Sequence, residues 1–385
     1  MVVLFTHEIH ASQIGGEFFN KGGVIGYQAL RNYLFACETG ILITRCTSET
    51  EKEQGVSYLD LKGQGISVCP IKEFNLKSII ENYRLVKTEM KNANYFLVRL
   101  PGLTGVFVGL ILLLNRKRYG VELAGDLKES LLEIYKQPSL STRLYIKIFS
   151  QLNKLIIKYA CAVGYRSRAL RNKYPNKKSS NEYVFSGAQI FPSDVGIAKD
   201  RAYYSTSVIK LLYLGRLSPE KGVDYLIQAA RILKERGRRT HLTIIGDGIS
   251  RDSLKDLVSG LGMDDDISFL GKISDRQQIY EIMDQCHIYV IPSITEGMPR
   301  SLIEAMSRGM VAIGSNTGGI PELLDKAFLF QPKNDLEIAT KIEWLFDEVE
   351  NLSSISNNNI VLSQDHWIEN IEKVKTNFWK KIMKV

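Results

Sequence analysis

The stretch Ser293–Gly319, SITEGMPRSLIEAMSRGMVAIGSNTGG, decides the fold. The apolar run Ile288–Ile291 precedes it and reads as a strand. Pro299 suits a first helical turn, and Pro299–Arg308 has helical spacing. Val311–Gly314 then returns to an apolar β-run. Strand, tight turn, helix and strand make a βαβ unit, and hence a parallel sheet. The free N–H groups of Arg300, Ser301 and Leu302 would point beyond the strand's carboxyl end. Unpaired donors and a positive dipole end make such a place an anion site. Gly297 lets a ligand approach backbone closely. Glu296 in the turn and Glu304 in the helix could place one carboxylate near a sugar and another near a ribose diol. Equally, both could simply favour the N-terminal half of a helix.

The same alternation continues outward. Lys210–Leu214 is a strand candidate, followed by Leu214–Gly222, LGRLSPEKG, and the helix Val223–Arg236. Arg216 and Lys221 flank that turn and should project from the sheet edge into one cleft. A diphosphate needs paired cations of this kind; the alternative is two surface cations on a turn. Strand Leu242–Ile245 ends at Gly246-Asp247-Gly248, whose glycines keep the cleft open. Helix Arg251–Leu261, strand Ile267–Leu270 and helix Asp275–Cys286 complete this half. There is no G-x-G-x-x-G fingerprint followed by an acidic residue at ribose spacing, so a dinucleotide site is poorly supported.

The first half alternates similarly. Val2–Thr6, Gly40–Thr44, Val68–Pro70, Tyr95–Val98, Gly120–Leu123 and Ala162–Tyr165 read as strands. Ile25–Ala36, Leu127–Tyr135, Thr142–Tyr159 and Arg168–Lys173 read as helices. Residues 176–207 are weakly patterned and polar and read as a link. A length of 385 residues also favours two domains. The expectation is α/β architecture: two facing, doubly wound, Rossmann-like domains, 1–200 and 201–365. Asn351–Gln364 reads as a polar loop, and a last helix, 366–385, as packing back on the first domain. Ligands of open α/β sheets bind beyond the strands' carboxyl ends, so two facing sheets make an interdomain cleft.

Composition is that of a globular protein, 44% hydrophobic and 24% charged. The five cysteines include no C-x-x-C pair, which argues against a disulfide scaffold or structural zinc and fits a reducing compartment. The N-terminus MVVLFTHEIH does not read as a secretory signal. The longest apolar run, Gly102–Leu114, is 13 residues, short of the ~20 that span a bilayer. It reads as a buried or membrane-surface helix.

The net charge of +8 is uneven: residues 1–200 hold 27 Lys/Arg and 17 Asp/Glu, and residues 201–385 hold 23 and 25. Residues 134–181 hold 11 cations, Lys136 to Lys178, and no anion. The band reads either as a solvated face or as a surface facing an acidic leaflet. No helix-turn-helix, zinc-finger or RRM signature supports nucleic acid.

The ordered motifs GRL-x3-KG, IIGDG, FLG, PSITEGMPRSLIEAMSRG and GGIPEL resemble the retaining glycosyltransferases of family 4, glycosyl transferases group 1, over about residues 207–345. The resemblance implies the GT-B fold and transfer of a sugar from a nucleotide-diphosphate sugar to a hydroxyl of a glycan or lipid-linked acceptor. It implies that Arg216 and Lys221 hold the diphosphate, with the helix start at Arg300–Leu302. Glu304 would bind the ribose hydroxyls, and Glu296 the donor sugar with the backbone of Gly297 and Met298. Lys272 and Ile273 stand where relatives give backbone contacts to the base, and Gly246 at the cleft edge. Gly15-Gly16 stands where the family's glycine-rich loop meets the donor phosphate, giving Gly16 that role. LVRLP (Leu97–Pro101), VELAGD (Val121–Asp126) and Tyr159–Pro175 look like a subset found in capsule and exopolysaccharide clusters. Many relatives carry a catalytic-site His where this chain reads Ala124-Gly125-Asp126. Asp126 takes that role or only caps the helix behind it. No cofactor and no metal are implied. The expected partners are a nucleotide sugar and a glycan or polyprenyl-diphosphate-linked sugar acceptor. The expected location is cytoplasmic, peripheral on the acidic inner face of the plasma membrane. A sugar-nucleotide epimerase of GT-B fold and a non-catalytic partner subunit are the alternatives.

Overall fold

The computed structural model describes all residues except 22–29, 36, 53–57, 62, 64, 129–130, 132–137, 205, 348 and 385. Half of the helix expected over Ile25–Ala36 falls outside the described residues, and in the described half Arg31–Tyr33 is a 3-10 turn. Most of Leu127–Tyr135, and Lys136, also lie outside them.

The first sheet has nine strands: β1 Val2–Ile14, β2 Glu17–Lys21, β3 Thr39–Ser48, β4 Tyr58–Asp60, β5 Ile66–Ile71, β6 Tyr95–Leu100, β7 Gly120–Leu123, β8 Ala162–Tyr165 and β9 Glu182–Val184. Its parallel part runs β5-β3-β1-β6-β7-β8-β9. The chain reverses direction of winding between β1 and β6, a switch point. β7 and β8 are buried at every residue, as expected of parallel strands covered on both faces.

Among the described residues, four helices of this unit are α1 Leu76–Asn92, α2 Leu103–Leu114, α3 Leu140–Tyr159 and α4 Arg168–Lys173. α2 is the apolar run that read as either buried or membrane-surface, and it is buried. Val106, Val108, Ile111 and Leu112 lie in the core, and Gly109 leaves room only for Ile156 of α3, 2.9 Å from where its Cβ would be.

β1 continues past the expected Thr6 to Ile14, with a register irregularity between Thr6 and His10. Its second half forms a hairpin with β2, Ile14 opposite Glu17. β9 lies inside the stretch expected as a link and forms the far edge of the sheet.

The second sheet is fully parallel: β10 Ile209–Leu214, β11 Thr240–Ile245, β12 Ile267–Gly271, β13 Ile288–Ile291, β14 Val311–Ser315 and β15 Leu329–Phe330. The order is β12-β11-β10-β13-β14-β15, with its switch point between β10 and β13. Its helices are α5 Val223–Glu235, α6 Arg251–Gly260, α7 Arg276–Gln285, α8 Arg300–Ser307 and α9 Asp335–Asp347. α5 buries Val223, Leu226, Ile227, Ala230 and Leu233, the stripe of a helix lying on a sheet. Each of the Val, Leu and Ile side chains contributes about 1.5–3 kcal/mol when fully buried.

Asn351–Gln364 is not a loop. Residues Val349–Ser363 form α10, and their polar side chains bond to backbone that ends α8. Ser356 Oγ donates to Gly309 O at 2.6 Å and Asn359 Nδ2 to Met310 O at 2.8 Å. The composition that suggested a loop supplies these buried bonds, each of net value about 1 kcal/mol. The last helix, α11 Ile368–Met383, lies against β6, β8 and β9 of the first sheet, with Ile371, Phe378, Trp379 and Ile382 in the same apolar cluster as Val3, Phe5 and Leu97.

Candidate functional site

The two switch points border one cleft of about 750 Å³. From the second unit it receives Glu296, Gly297, Met298 and Arg300; from the first, His7, Arg99, Glu122 and Arg166; from α11, Lys375 and Trp379.

Glu296 lies in the turn between β13 and α8. Lys221 Nζ donates to Glu296 Oε2 at 2.6 Å, and Ser293 Oγ donates to the same oxygen at 3.1 Å. The Lys221 and Glu296 side chains are only 17% and 15% exposed, so a mostly dry ion pair joins the turns after β10 and β13. The GGIPEL glycines form the seat of this turn. Gly319 N donates to Gly297 O at 2.6 Å. Gly318 has φ +55°, and a Cβ there would stand 1.8 Å from Glu296 O. Thr317 Oγ1 donates to Ile294 O at 3.2 Å, closing the seat on the other side.

Arg216 follows β10 at the same switch point. Its side chain is exposed and has no hydrogen-bond or ion-pair partner among the described residues, while its carbonyl accepts from the Tyr213 hydroxyl at 2.9 Å. The N–H groups of Arg300, Ser301 and Leu302 have no acceptor among the described residues. The Leu302 side chain is core. Ser301 Oγ accepts from the Tyr289 hydroxyl at 2.7 Å.

Glu304 is half-buried on α8, and its carboxylate has no hydrogen-bond partner among the described residues. Burial pushes its pKa up, Arg276 and Arg300 pull it down, and Asp194 adds to the rise. Burial pushes the Tyr289 hydroxyl up too, and the charges of Glu304 and Glu296 act in the same direction.

Gly246 has φ +141°, and its Cβ would meet Gly215 O at 1.8 Å. It is there because the turns after β10 and β11 touch. Lys272 is exposed just after β12, and Ile273 packs on the apolar cluster of this unit.

Of the residues named from sequence, Glu296, Gly297, Met298 and Arg300 line this cleft; Arg216, Lys221, Gly246, Lys272, Ile273, Ser301, Leu302 and Glu304 lie outside its lining, on the second unit. Gly16 and Asp126 have other engagements. Gly15 and Gly16 form the exposed two-residue turn of the β1–β2 hairpin, with φ of +57° and +83°, a conformation that favours glycine on its own account. Asp126 is 7% exposed and engaged elsewhere: Lys173 Nζ lies 2.5 Å away and the Tyr174 hydroxyl donates to it at 3.1 Å. It ties the turn after β7 to α4, and Ala124 lines the cleft in its stead.

The sequence reading missed His7, Arg99, Glu122, Arg166 and Lys375. Arg166 pairs with Glu122, and Arg99 Nη1 lies 3.8 Å from the same carboxylate oxygen. Burial lowers the Arg166 pKa to about 10, so it stays charged at neutral pH. Burial, then Arg99 and Arg166, lower the His7 pKa to about 3, so this imidazole is neutral. One signal was available: Arg99 and Glu122 are single charges within otherwise apolar strands, YFLVRL and GVEL.

A side-chain contact joins the two units across the cleft. The Glu322 carboxylate accepts from Arg168 N at 2.8 Å and Ala169 N at 2.7 Å, capping α4 from across the cleft.

Residues 204–361 match the family described as glycosyl transferases group 1. Protein CapJ of Staphylococcus aureus is 22% identical over 98% of both chains. The amylovoran biosynthesis glycosyltransferase AmsK of Erwinia amylovora is 33% identical over 30% of each chain. Among solved structures, Anabaena HepE in complex with UDP superposes over 100% of both chains with a TM-score of 0.65 at 16% identity. The fold is GT-B: two parallel-sheet units of Rossmann-like winding that share a cleft.

Proposed function

We propose that this chain, whose residues 204–361 match the glycosyl transferases group 1 family and whose fold is GT-B, moves a sugar from a nucleotide-diphosphate sugar to a hydroxyl of a glycan or lipid-linked acceptor, with retention at the anomeric carbon. Residues 1–200 are the acceptor side and 201–365 the donor side. The observation that carries this reading is the Lys221–Glu296 pair, set at the switch point beside the unpaired N–H groups of α8.

In the reaction the bond from C1 to the diphosphate oxygen breaks. A new C1–O bond forms to the acceptor, and the acceptor's proton leaves with the nucleoside diphosphate. Negative charge grows on the diphosphate in the transition state, and fixed donors aimed at it stabilise that state most. Arg216, Lys221 and the start of α8 are the donors of that kind here, and they serve the leaving group without a metal. Glu296 positions Lys221 and accepts from hydroxyls of the transferred sugar. Glu304 accepts from the ribose diol. The named role of AmsK in amylovoran biosynthesis supports an acceptor among bacterial surface polysaccharides.

The protein also contacts an acidic membrane surface through α3. Leu140 is 84% exposed, and Leu144, Ile148, Leu155 and Tyr159 are exposed with it. At 100° per residue these five share an arc of about 100°. Arg143, Lys147, Lys154 and Lys158 are exposed along one flank of that arc, and the opposite face, with Ile146, Ile156 and Ile157, is core. Apolar groups edged by cations suit the headgroup layer of an anionic leaflet. Among the described residues, no helix is long and apolar enough to cross a membrane.

The test is a thermal-shift screen of sugar nucleotides followed by product analysis. A ligand at 100 times its Kd adds about 2.7 kcal/mol. Stabilisation by a sugar nucleotide and a glycosylated acceptor support the reading. A changed sugar nucleotide with no glycosylated acceptor would assign an epimerase instead.

A further inference from the structure

The first unit's side of the cleft carries more positive charge than the reaction as proposed requires. Its strands deliver charged residues in adjacent positions at one edge: Arg99 from β6, Glu122 from β7 and Arg166 just after β8. Lys375 of α11 and Arg300 of α8 face the same space. Four cations thus meet one carboxylate, Glu122, since Glu296 is held by Lys221. The other anions around the rim are engaged or lie outside the lining. Glu8 pairs with Arg45 and Glu322 caps α4. Glu304 and Glu372 affect Arg300 and Lys375 only through space. Neither Arg300 nor Lys375 has an ion-pair partner among the described residues.

The cations are close enough to oppose one another. At Gly187 a Cβ would stand 3.2 Å from Arg166 Nη1 and 3.5 Å from Arg300 Cδ. The Arg166 and Lys375 head groups both lie over the Phe185 ring, 5.6 and 5.8 Å from its centroid. Arg99 lies over Tyr33 at 5.9 Å. Rings hold these side chains in place without neutralising them. His7 lines the same space, only 6% exposed, and its Nδ1 is buried with no hydrogen-bond partner. A buried polar atom without a partner is rare and costly, and a bound ligand is one way to satisfy it.

We propose that this pocket reads a phosphate group on the acceptor, held by Arg99, Arg166 and Lys375, with His7 bonding to the acceptor beside it. A phosphate or diphosphate brings two or more negative charges and several acceptor oxygens, which matches a surplus of three cations; guanidinium forks favour it further. The phosphate belongs either to a soluble sugar phosphate or to a lipid-linked diphosphate sugar. This inference rests on the glycosyltransfer reading and names the acceptor class for it.

The experiment uses the full chain saturated with whichever of UDP or GDP stabilises it, so that the donor's diphosphate site is already filled. Pyrophosphate is then titrated in by calorimetry. Binding to the saturated protein is expected, weakened at least ten-fold in both Arg166→Gln and Lys375→Gln, with nucleotide affinity unchanged. Lys375→Gln guards against Arg166→Gln failing to fold, because Lys375 lies on the half-exposed side of its helix. Competition for the pyrophosphate site by a hexose phosphate assigns the soluble source. Competition only by a short-chain prenyl-diphosphate sugar assigns the lipid source. Nucleotide binding without pyrophosphate binding, or pyrophosphate binding untouched by both variants, overturns the proposal and leaves the glycosyltransfer reading standing. Absence of nucleotide binding overturns the reading beneath it.

Discussion

Lys221 Nζ and Glu296 Oε2 lie 2.6 Å apart across the switch point of the second sheet. The cation proposed to meet the donor's diphosphate and the carboxylate proposed to meet its sugar are therefore one unit. Each holds the other in place, in a setting too dry for either to be indifferent to its loss.

Lys221→Ala is expected to lower turnover by about 10²–10³, the usual effect of removing one donor from a developing charge. Glu296→Gln should also lower turnover, and the double variant should fall well short of the product of the two losses. Steady-state kinetics of the three variants decide it. Multiplicative losses would falsify the idea that the two act together.

Sugar transfer is expected to continue in excess EDTA, because on the proposed reading side chains and a helix start would serve the leaving diphosphate. The check is a radiolabelled transfer assay with and without chelator. Full loss, restored by magnesium or manganese, would contradict the assigned donor site.

Glu304→Gln should weaken nucleoside diphosphate binding by about 10- to 150-fold, the loss of a charged acceptor worth roughly 1.5–3 kcal/mol. Burial raises the Glu304 pKa, so in the wild type the affinity should fall as pH drops through that raised value, earlier than for an exposed carboxylate. The free protein responds oppositely. A raised carboxyl pKa stabilises the fold at low pH, and that contribution is lost as pH rises through the native value. Calorimetry against pH in both proteins separates the two effects. An identical acid limb in wild type and Glu304→Gln would move the ribose elsewhere.

His7 should make the fold sensitive to acid. Its native pKa of about 3 lies below the unfolded 6.5, so the stability it carries is present above pH 6.5 and is lost as pH falls toward 3. The loss is about 1.4 kcal/mol per pH unit in that window. Urea unfolding at pH 7 and pH 4.5 should show a steeper decline in the wild type than in His7→Gln. Parallel declines would mean that His7 is charged or exposed in solution.

Binding to vesicles with one-third anionic lipid should exceed binding to neutral vesicles, and should weaken with salt because screening acts within about 8 Å. Leu144→Ser with Ile148→Ser, and separately Lys147→Glu with Lys154→Glu, should each reduce pelleting with little change in Tm, since all four side chains are exposed. Equal pelleting with both lipids would return α3 to a merely solvated face.

The second unit was largely legible because its signals are local. Strand, turn and helix follow one another within a few residues, and Arg216, Lys221, Glu296 and Glu304 all stand next to a turn that the sequence marks. The first unit's side of the cleft was not. Arg99, Glu122 and Arg166 come from three different strand ends, one residue each, and Lys375 reaches the pocket from the last helix. No spacing rule links such residues before the sheet order is known. α10 was misread for a related reason: Ser356 and Asn359 look like loop residues until the carbonyls of Gly309 and Met310 are seen waiting for them. Gly16 and Asp126 carry local explanations, a hairpin turn and a tie to α4, that compete with a catalytic one.

The Glu322 clasp on α4 places a mechanical fuse next to the chemistry. Glu322 stands three residues beyond Gly319, which seats Gly297, so a short run of chain joins the clasp to the turn that carries Glu296. The two hydrogen bonds run from the first N–H groups of α4 to the Glu322 carboxylate, strong enough to define this closed position and modest enough for separation of the two units to break them. Parting the two units to discharge product would thus strain the donor-sugar seat as it opens, and re-forming the clasp would reset that seat before the next sugar arrives.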